Sequence, residues 1–111
     1  MKPPLKYTLF CVLYETGDGG IWEYDVYNIL KTKYNSRSVA KVRSLLVELR
    51  NLNWTEEIEA ELHGETVIRK FSLKRQHRAF IQYHLRPKEL LEELGLKVFD
   101  NDVTRKGEAH V

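Results

Sequence analysis

A chain of 111 residues holds one hydrophobic core with little surplus for a second, so a single domain is expected. Hydrophobic residues at 42% and charged residues at 31% exclude a disordered chain, and a net charge of +2 does not by itself announce a polyanionic partner. Cys11, the only cysteine, excludes an intrachain disulfide, and the longest apolar run, residues 9–14, is far too short to span a bilayer. With no secretory pattern at the start, a cytoplasmic location without membrane contact is expected.

Pro3-Pro4 precede a first helix over residues 5–15, with proline near its start. Leu5, Tyr7, Leu9, Phe10, Cys11, Val12, Leu13 and Tyr14 make it apolar nearly all round. A helix without a polar face is covered on more than one side, which in so short a chain points to a subunit interface. The same YTLFCVLY run is rich in strand formers, so a β-strand is the competing reading. Gly17-Asp18-Gly19-Gly20 is a loop, and it lacks the Gly-Lys-Ser/Thr ending of a phosphate-cradling loop. Ile21-Trp22 suits a short strand. A second helix follows over 23–34, with Trp22, Val26, Ile29 and Leu30 at helical spacing. Asn35 and Ser36 break it and offer side-chain oxygens to cap the next helix.

The third helix, 36–52, carries Val39, Val42, Leu45, Leu46 and Leu49 on one stripe at 100° per residue. Arg37, Ala40, Ser44, Val47 and Asn51 project opposite, bordered by Arg43 and Arg50 on one side and Lys41 and Glu48 on the other. The exposed centre is small and its edges are mostly cationic. A hairpin over 54–73 comes next. Ile58, Ala60 and Leu62 alternate with Glu57, Glu59 and Glu61, the period-two signature of a half-buried strand. His63-Gly64 supplies the turn, and Arg69 and Lys70 return opposite the glutamates. A fourth helix over 74–85 is interrupted at Arg86-Pro87. Pro87 opens a last helical segment that Gly95 closes, with Leu96 behind it. The domain is read as residues 1–96 and the polar remainder, 97–111, as a tail.

Charge is segregated along this order. Residues 31–53 hold six cations against one acid, Glu48; residues 54–65 hold five glutamates and no Lys or Arg; residues 66–88 hold seven cations and no acid. Such blocks create local fields that the near-neutral sum conceals.

YTLFCVLYETGDGGIWEYDVYNIL followed by NSRSVAKVRSLLVELRNLNW resembles the winged helix-turn-helix superfamily, in an arrangement similar to PadR- and MarR-type regulators. The resemblance covers roughly residues 5–85. It implies an α+β fold with a three-helix core, a β-hairpin wing and an additional C-terminal helix. It also implies a transcriptional regulator that binds double-stranded DNA as a homodimer, its third helix reading bases in the major groove. Asn53 departs from the pattern, standing where such families place a helix-ending glycine, and the first wing strand is unusually acidic.

Arg37, Ser38, Ala40, Lys41 and Ser44 are the expected base-reading or base-approaching residues. The small ones let the backbone come close and the cations reach guanine acceptors or phosphates. Ser36, Arg43, Arg50, His63, Arg69 and Lys70 are the expected phosphate contacts. Leu5, Leu9, Phe10 and Leu13 of the first helix, with Phe80, Tyr83 and His84 of the fourth, are the expected dimer interface. The competing class is a winged helix used for protein contact within a multiprotein complex, which the acidic strand and modest charge favour.

No metal or cofactor is called for. His77 and His84 lie seven residues apart on one helix, about 10 Å along its axis and too far to share one zinc. Nor does any nucleophile motif or carboxylate pair in an apolar setting suggest an enzyme.

Overall fold

The computed structural model describes residues 3–34 and 39–98. Within them five helices, α1 (Leu5–Thr16), α2 (Glu23–Leu30), α3 (Val39–Asn51), α4 (Arg78–Leu85) and α5 (Pro87–Leu94), surround an antiparallel sheet of three strands. The strands are β1 (Ile21–Trp22), β2 (Thr55–His63) and β3 (Thr66–Leu73), in the spatial order β1-β3-β2. Mixed α+β architecture is therefore what the sequence builds. None of the described helices is long and apolar enough to cross a membrane.

The YTLFCVLY run is helical. The amides of Tyr7 and Thr8 donate to the Pro4 carbonyl at 3.0 and 3.3 Å, so proline sits where a missing N–H costs nothing. Residues Thr8, Leu9, Phe10, Cys11, Val12 and Leu13 are all buried. Their cover comes from the chain itself. α1 packs chiefly against α5, then against β3 and α4. The inference from an all-round apolar helix to a subunit interface is thus corrected for Leu9, Phe10 and Leu13. The second side of the helix is closed by α5, which contributes buried Pro87 and Leu91.

α2 stops at Leu30, four residues earlier than its periodicity suggests, and a turn carries the chain to Tyr34. Tyr34 is buried there, its hydroxyl donating to the Pro3 carbonyl at 2.5 Å and accepting from the Thr8 hydroxyl at 2.6 Å. One phenol pins the end of α2 to the start of α1. Asn35, Ser36 and the expected cap they form lie outside the described residues.

α3 and α5 end alike. At the end of α3 the Asn53 amide donates to the Arg50 carbonyl and the Trp54 amide to Leu49, both at 2.9 Å, with Asn53 at φ 69°. At the end of α5 Gly95, φ 72°, and Leu96 donate in the same way to Glu92 and Leu91. Each is a left-handed cap with paired backbone bonds. Asn53 therefore performs the helix-ending role in which glycine is usual, and Lys74 Nζ donates to its side-chain oxygen. Leu96 and Val98 are both buried, so the core extends two residues past the boundary read at 96. The rest of the tail, 99–111, lies outside the described residues.

The hairpin departs most from expectation. Pairing runs to His63 opposite Thr66, which leaves Gly64-Glu65 as the loop, with Gly64 at φ 64°. A bulge between Glu57 and Glu59 shifts the register. Opposed residues in an antiparallel pair share a face. Glu57 opposite Phe71, Ala60 opposite Arg69 and Leu62 opposite Val67 therefore lie on one face. Glu56 opposite Ser72, Glu59 opposite Lys70 and Glu61 opposite Ile68 lie on the other. Nor is the strand half-buried. Beyond Thr55 all of β2 is exposed, with Leu62 at 70%, and the outer part of the hairpin stands clear of the core while Phe71, Ser72 and Leu73 of β3 are buried in it.

Where β1 enters the sheet, Gly20 adopts φ +73°. A Cβ there would lie 2.6 Å from Ile58 Cδ1 and 2.7 Å from the Phe71 carbonyl oxygen. Gly20→Ala is expected to lower unfolding free energy by about 2–3 kcal/mol, from the left-handed backbone and the clash together. Urea denaturation checks it, and a loss below about 0.5 kcal/mol would show that the strand edge yields.

Candidate nucleic-acid interface

Burial of α3 sets what it presents. Val42, Leu46 and Leu49 are at most 1% exposed and face the core, each contributing roughly 1.5–3 kcal/mol by leaving water. With that stripe fixed, Ala40, Lys41 and Ser44 fall on the outer side and are exposed. Among the described residues no acid pairs with Lys41. Arg37 and Ser38, the other expected base readers, and Ser36, an expected phosphate contact, lie outside the described residues.

Apart from Lys41, the described cations expected to contact DNA, with His63, have acidic partners. Arg43 is held by Glu23, the first residue of α2. Its Nε–H donates to Oε2 at 2.9 Å, while Nη2 stands 2.9 Å from Oε1 in ion contact without hydrogen-bond geometry. Glu23 is completely buried and the Arg43 side chain is 31% exposed. The bond to Glu23 raises the guanidinium's already high pKa, burial opposing it. Arg43 is therefore a fixed charge, positioned by a carboxylate beneath it.

Arg50, in the last turn of α3, donates to Glu57 Oε1 at 2.9 Å, and Arg69 Nε stands 3.2 Å from the same oxygen. Lys70 Nζ lies 4.0 Å from Glu59 and 5.6 Å from the centre of the Trp22 ring. His63, at the hairpin tip, meets Glu61 at 3.2 Å. These pairs are partly or fully open to water, where such contacts contribute under about 1 kcal/mol each. They bias the side chains without locking them. Among the ion pairs of the described residues, only Glu23–Arg43 has a buried member.

The expected dimer residues separate into two groups. Leu9, Phe10 and Leu13 are inside the core and Leu5 is half-buried against it. Phe80 and Tyr83 remain at the surface, 53% and 79% exposed, with exposed His84 between them. They continue a row of rings that begins inside. Phe10 touches Trp54 at 5.0 Å between centroids, Trp54 stacks on His77 at 4.0 Å, and Phe80 lies 4.3 Å from His84. His77 Nε2 is 3.0 Å from the Asn53 carbonyl, so that nitrogen carries the proton and donates.

Chemistry elsewhere is sparse. The Cys11 thiol is pushed up to about 12 by burial and then by Glu15, which makes it an inert core thiol. Among the described residues no group of three or more His, Cys, Asp or Glu is gathered to hold a metal ion. Sequence reasoning missed two residues, Glu23 and Glu57. Each reads locally as an ordinary acid, one in the first turn of a helix and one in an alternating strand. Neither signal names the distant arginine that gives it a role. No protein-family model, curated protein or solved structure matches this chain.

Proposed function

We propose that the chain is a winged helix-turn-helix protein that binds double-stranded DNA as a transcriptional regulator, α3 entering the major groove and the β2–β3 hairpin serving as the wing. The carrying observation is the outer side of α3, where small Ala40 and Ser44 flank exposed Lys41 while Val42, Leu46 and Leu49 anchor the helix. The order helix, strand, helix, helix, hairpin and the strand order β1-β3-β2 suit that fold. Thirteen residues at 1.5 Å each give α3 a length of about 20 Å, and a helix about 10–12 Å in diameter fits a major groove about 12 Å wide. In this reading Lys41, with Arg37 and Ser38, reads base edges. Arg43, held in place by Glu23, turns its remaining N–H groups to the backbone, joined by Ser36, Arg50, His63, Arg69 and Lys70.

A homodimer on a pseudo-palindromic site would set its two α3 helices about 34 Å apart. The α4 ridge of Phe80, Tyr83 and His84 is the pairing face this reading assigns, since α1 is already covered. The second reading, a winged helix for protein contact, is favoured by the same exposed rings and by the acids paired with Arg43, Arg50, Arg69 and Lys70.

Selection from a random duplex pool followed by gel shifts at graded KCl separates the two readings. DNA binding predicts an enriched sequence and an affinity whose log–log dependence on salt has a slope of about −3 or steeper. No enrichment, with no shift even at low salt, would leave the protein-contact reading standing.

A further inference from the structure

The bulge at Ile58 has a chemical result. An unbroken alternation puts Glu57, Glu59 and Glu61 on one face of the hairpin. Instead Glu57 alone is delivered to the face that carries Arg69, and there it meets Arg50 from the end of α3. One carboxylate oxygen, Oε1, accepts from Arg50 Nη1 at 2.9 Å and lies 3.2 Å from Arg69 Nε. The two guanidiniums come from the two elements that the proposed function aims at a duplex. All three side chains are reachable from solvent, at 38% for Arg50, 31% for Arg69 and 28% for Glu57.

Two guanidiniums converging on one anionic oxygen make the geometry with which arginines hold a non-bridging phosphate oxygen. We propose that Arg50 and Arg69 form a phosphate-backbone site whose occupant in the free protein is the carboxylate of Glu57, an internal competitor that a DNA phosphate displaces. The inference rests on the DNA-binding reading and adds a regulation to it. The exchange is balanced in charge, one anion leaving as another arrives. It is also easy to reverse, because partly exposed carboxylate–guanidinium pairs are weak. Duplex phosphates bring counterion release that the carboxylate does not. Until a duplex docks with α3 in register, the cluster carries a formal charge of one and not two. Loose association with any polyanion is thereby reduced.

The test is fluorescence anisotropy of a labelled random-sequence 24-base-pair duplex against wild type, Glu57→Gln, Glu56→Gln and Arg50→Ala/Arg69→Ala, each across KCl concentration. Glu56 lies one residue away and on the other face, so its change removes the same formal charge without opening the site. Glu57→Gln is expected to bind about 5–10-fold tighter near 100 mM KCl, with a salt slope steeper by about one. Glu56→Gln should change affinity less than about twofold, and adding Arg50→Ala/Arg69→Ala to Glu57→Gln should erase the gain. Glu57→Ala repeats the measurement without the amide. Wild-type binding with Glu57→Gln unchanged, or with Glu57→Gln and Glu56→Gln gaining equally, overturns the competitor and leaves the DNA-binding reading intact. Absence of duplex binding by every variant at low salt overturns both.

Discussion

Replacing Arg43 by alanine is expected to lower the unfolding free energy by about 2–3 kcal/mol. Removing one member of a buried ion pair leaves its partner as an uncompensated charge, which costs about 3–5 kcal/mol when both are buried. Glu23 is completely buried and Arg43 is its ion-pair partner, but the arginine is 31% exposed, so water entering the vacated space recovers part of the loss. The asymmetry sharpens the expectation. Glu23→Gln should cost only about 1 kcal/mol, because Arg43 can turn to solvent and the amide still accepts one hydrogen bond. The double change Glu23→Leu/Arg43→Met should regain most of the stability lost in Arg43→Ala, since apolar groups of similar volume commonly replace buried pairs without penalty. Urea denaturation of the three variants decides it. Arg43→Ala within about 0.5 kcal/mol of wild type would mean that the pair is incidental.

Ala40→Glu is expected to weaken duplex binding about 100-fold or more and to leave the unfolding midpoint unchanged. Ala40 is exposed on α3, so glutamate meets no core and suits a helix. Facing a groove, however, it sets a carboxylate against base edges and phosphates where a methyl group allowed close approach. Like charge and added bulk then act together. Gln82→Glu on α4, exposed and on another element, serves as the control for net charge and should change binding less than threefold. Equal loss in both variants would show that charge alone, and not the position on α3, governs association.

The parts of the fold legible in the sequence are those written in local spacing. Pro4 before α1, the glycine turn, Ile21-Trp22 as a strand, the α3 stripe, and Pro87 and Gly95 bracketing α5 all follow from dihedral limits or from periodicity within one element. What escaped depends on pairs far apart in the chain. The run of Thr8–Leu13 tells that α1 is covered all round but not by what, and α5, some eighty residues later, is the cover. The early end of α2 is fixed by Tyr34 reaching back to Thr8 and Pro3. The Glu57–Ile58–Glu59 stretch alternates perfectly in composition, and the bulge that turns Glu57 toward Arg50 leaves no trace in that alternation. The exposed side of α3 was legible for the same reason. Ala40, Lys41 and Ser44 were placed by the helix period, whereas the acids that hold Arg43, Arg50 and Arg69 depend on tertiary contacts.

The central claim is that the outer side of α3, and not another surface, meets DNA. Amide ¹H–¹⁵N spectra recorded while a selected duplex is titrated in test it most directly. The largest shifts are expected on Ala40, Lys41 and Ser44, with Arg69 and Lys70 of the hairpin following and the amides of α5 unmoved. Shifts confined to α4 and α5 with α3 silent, or no shift anywhere at low salt, would contradict it.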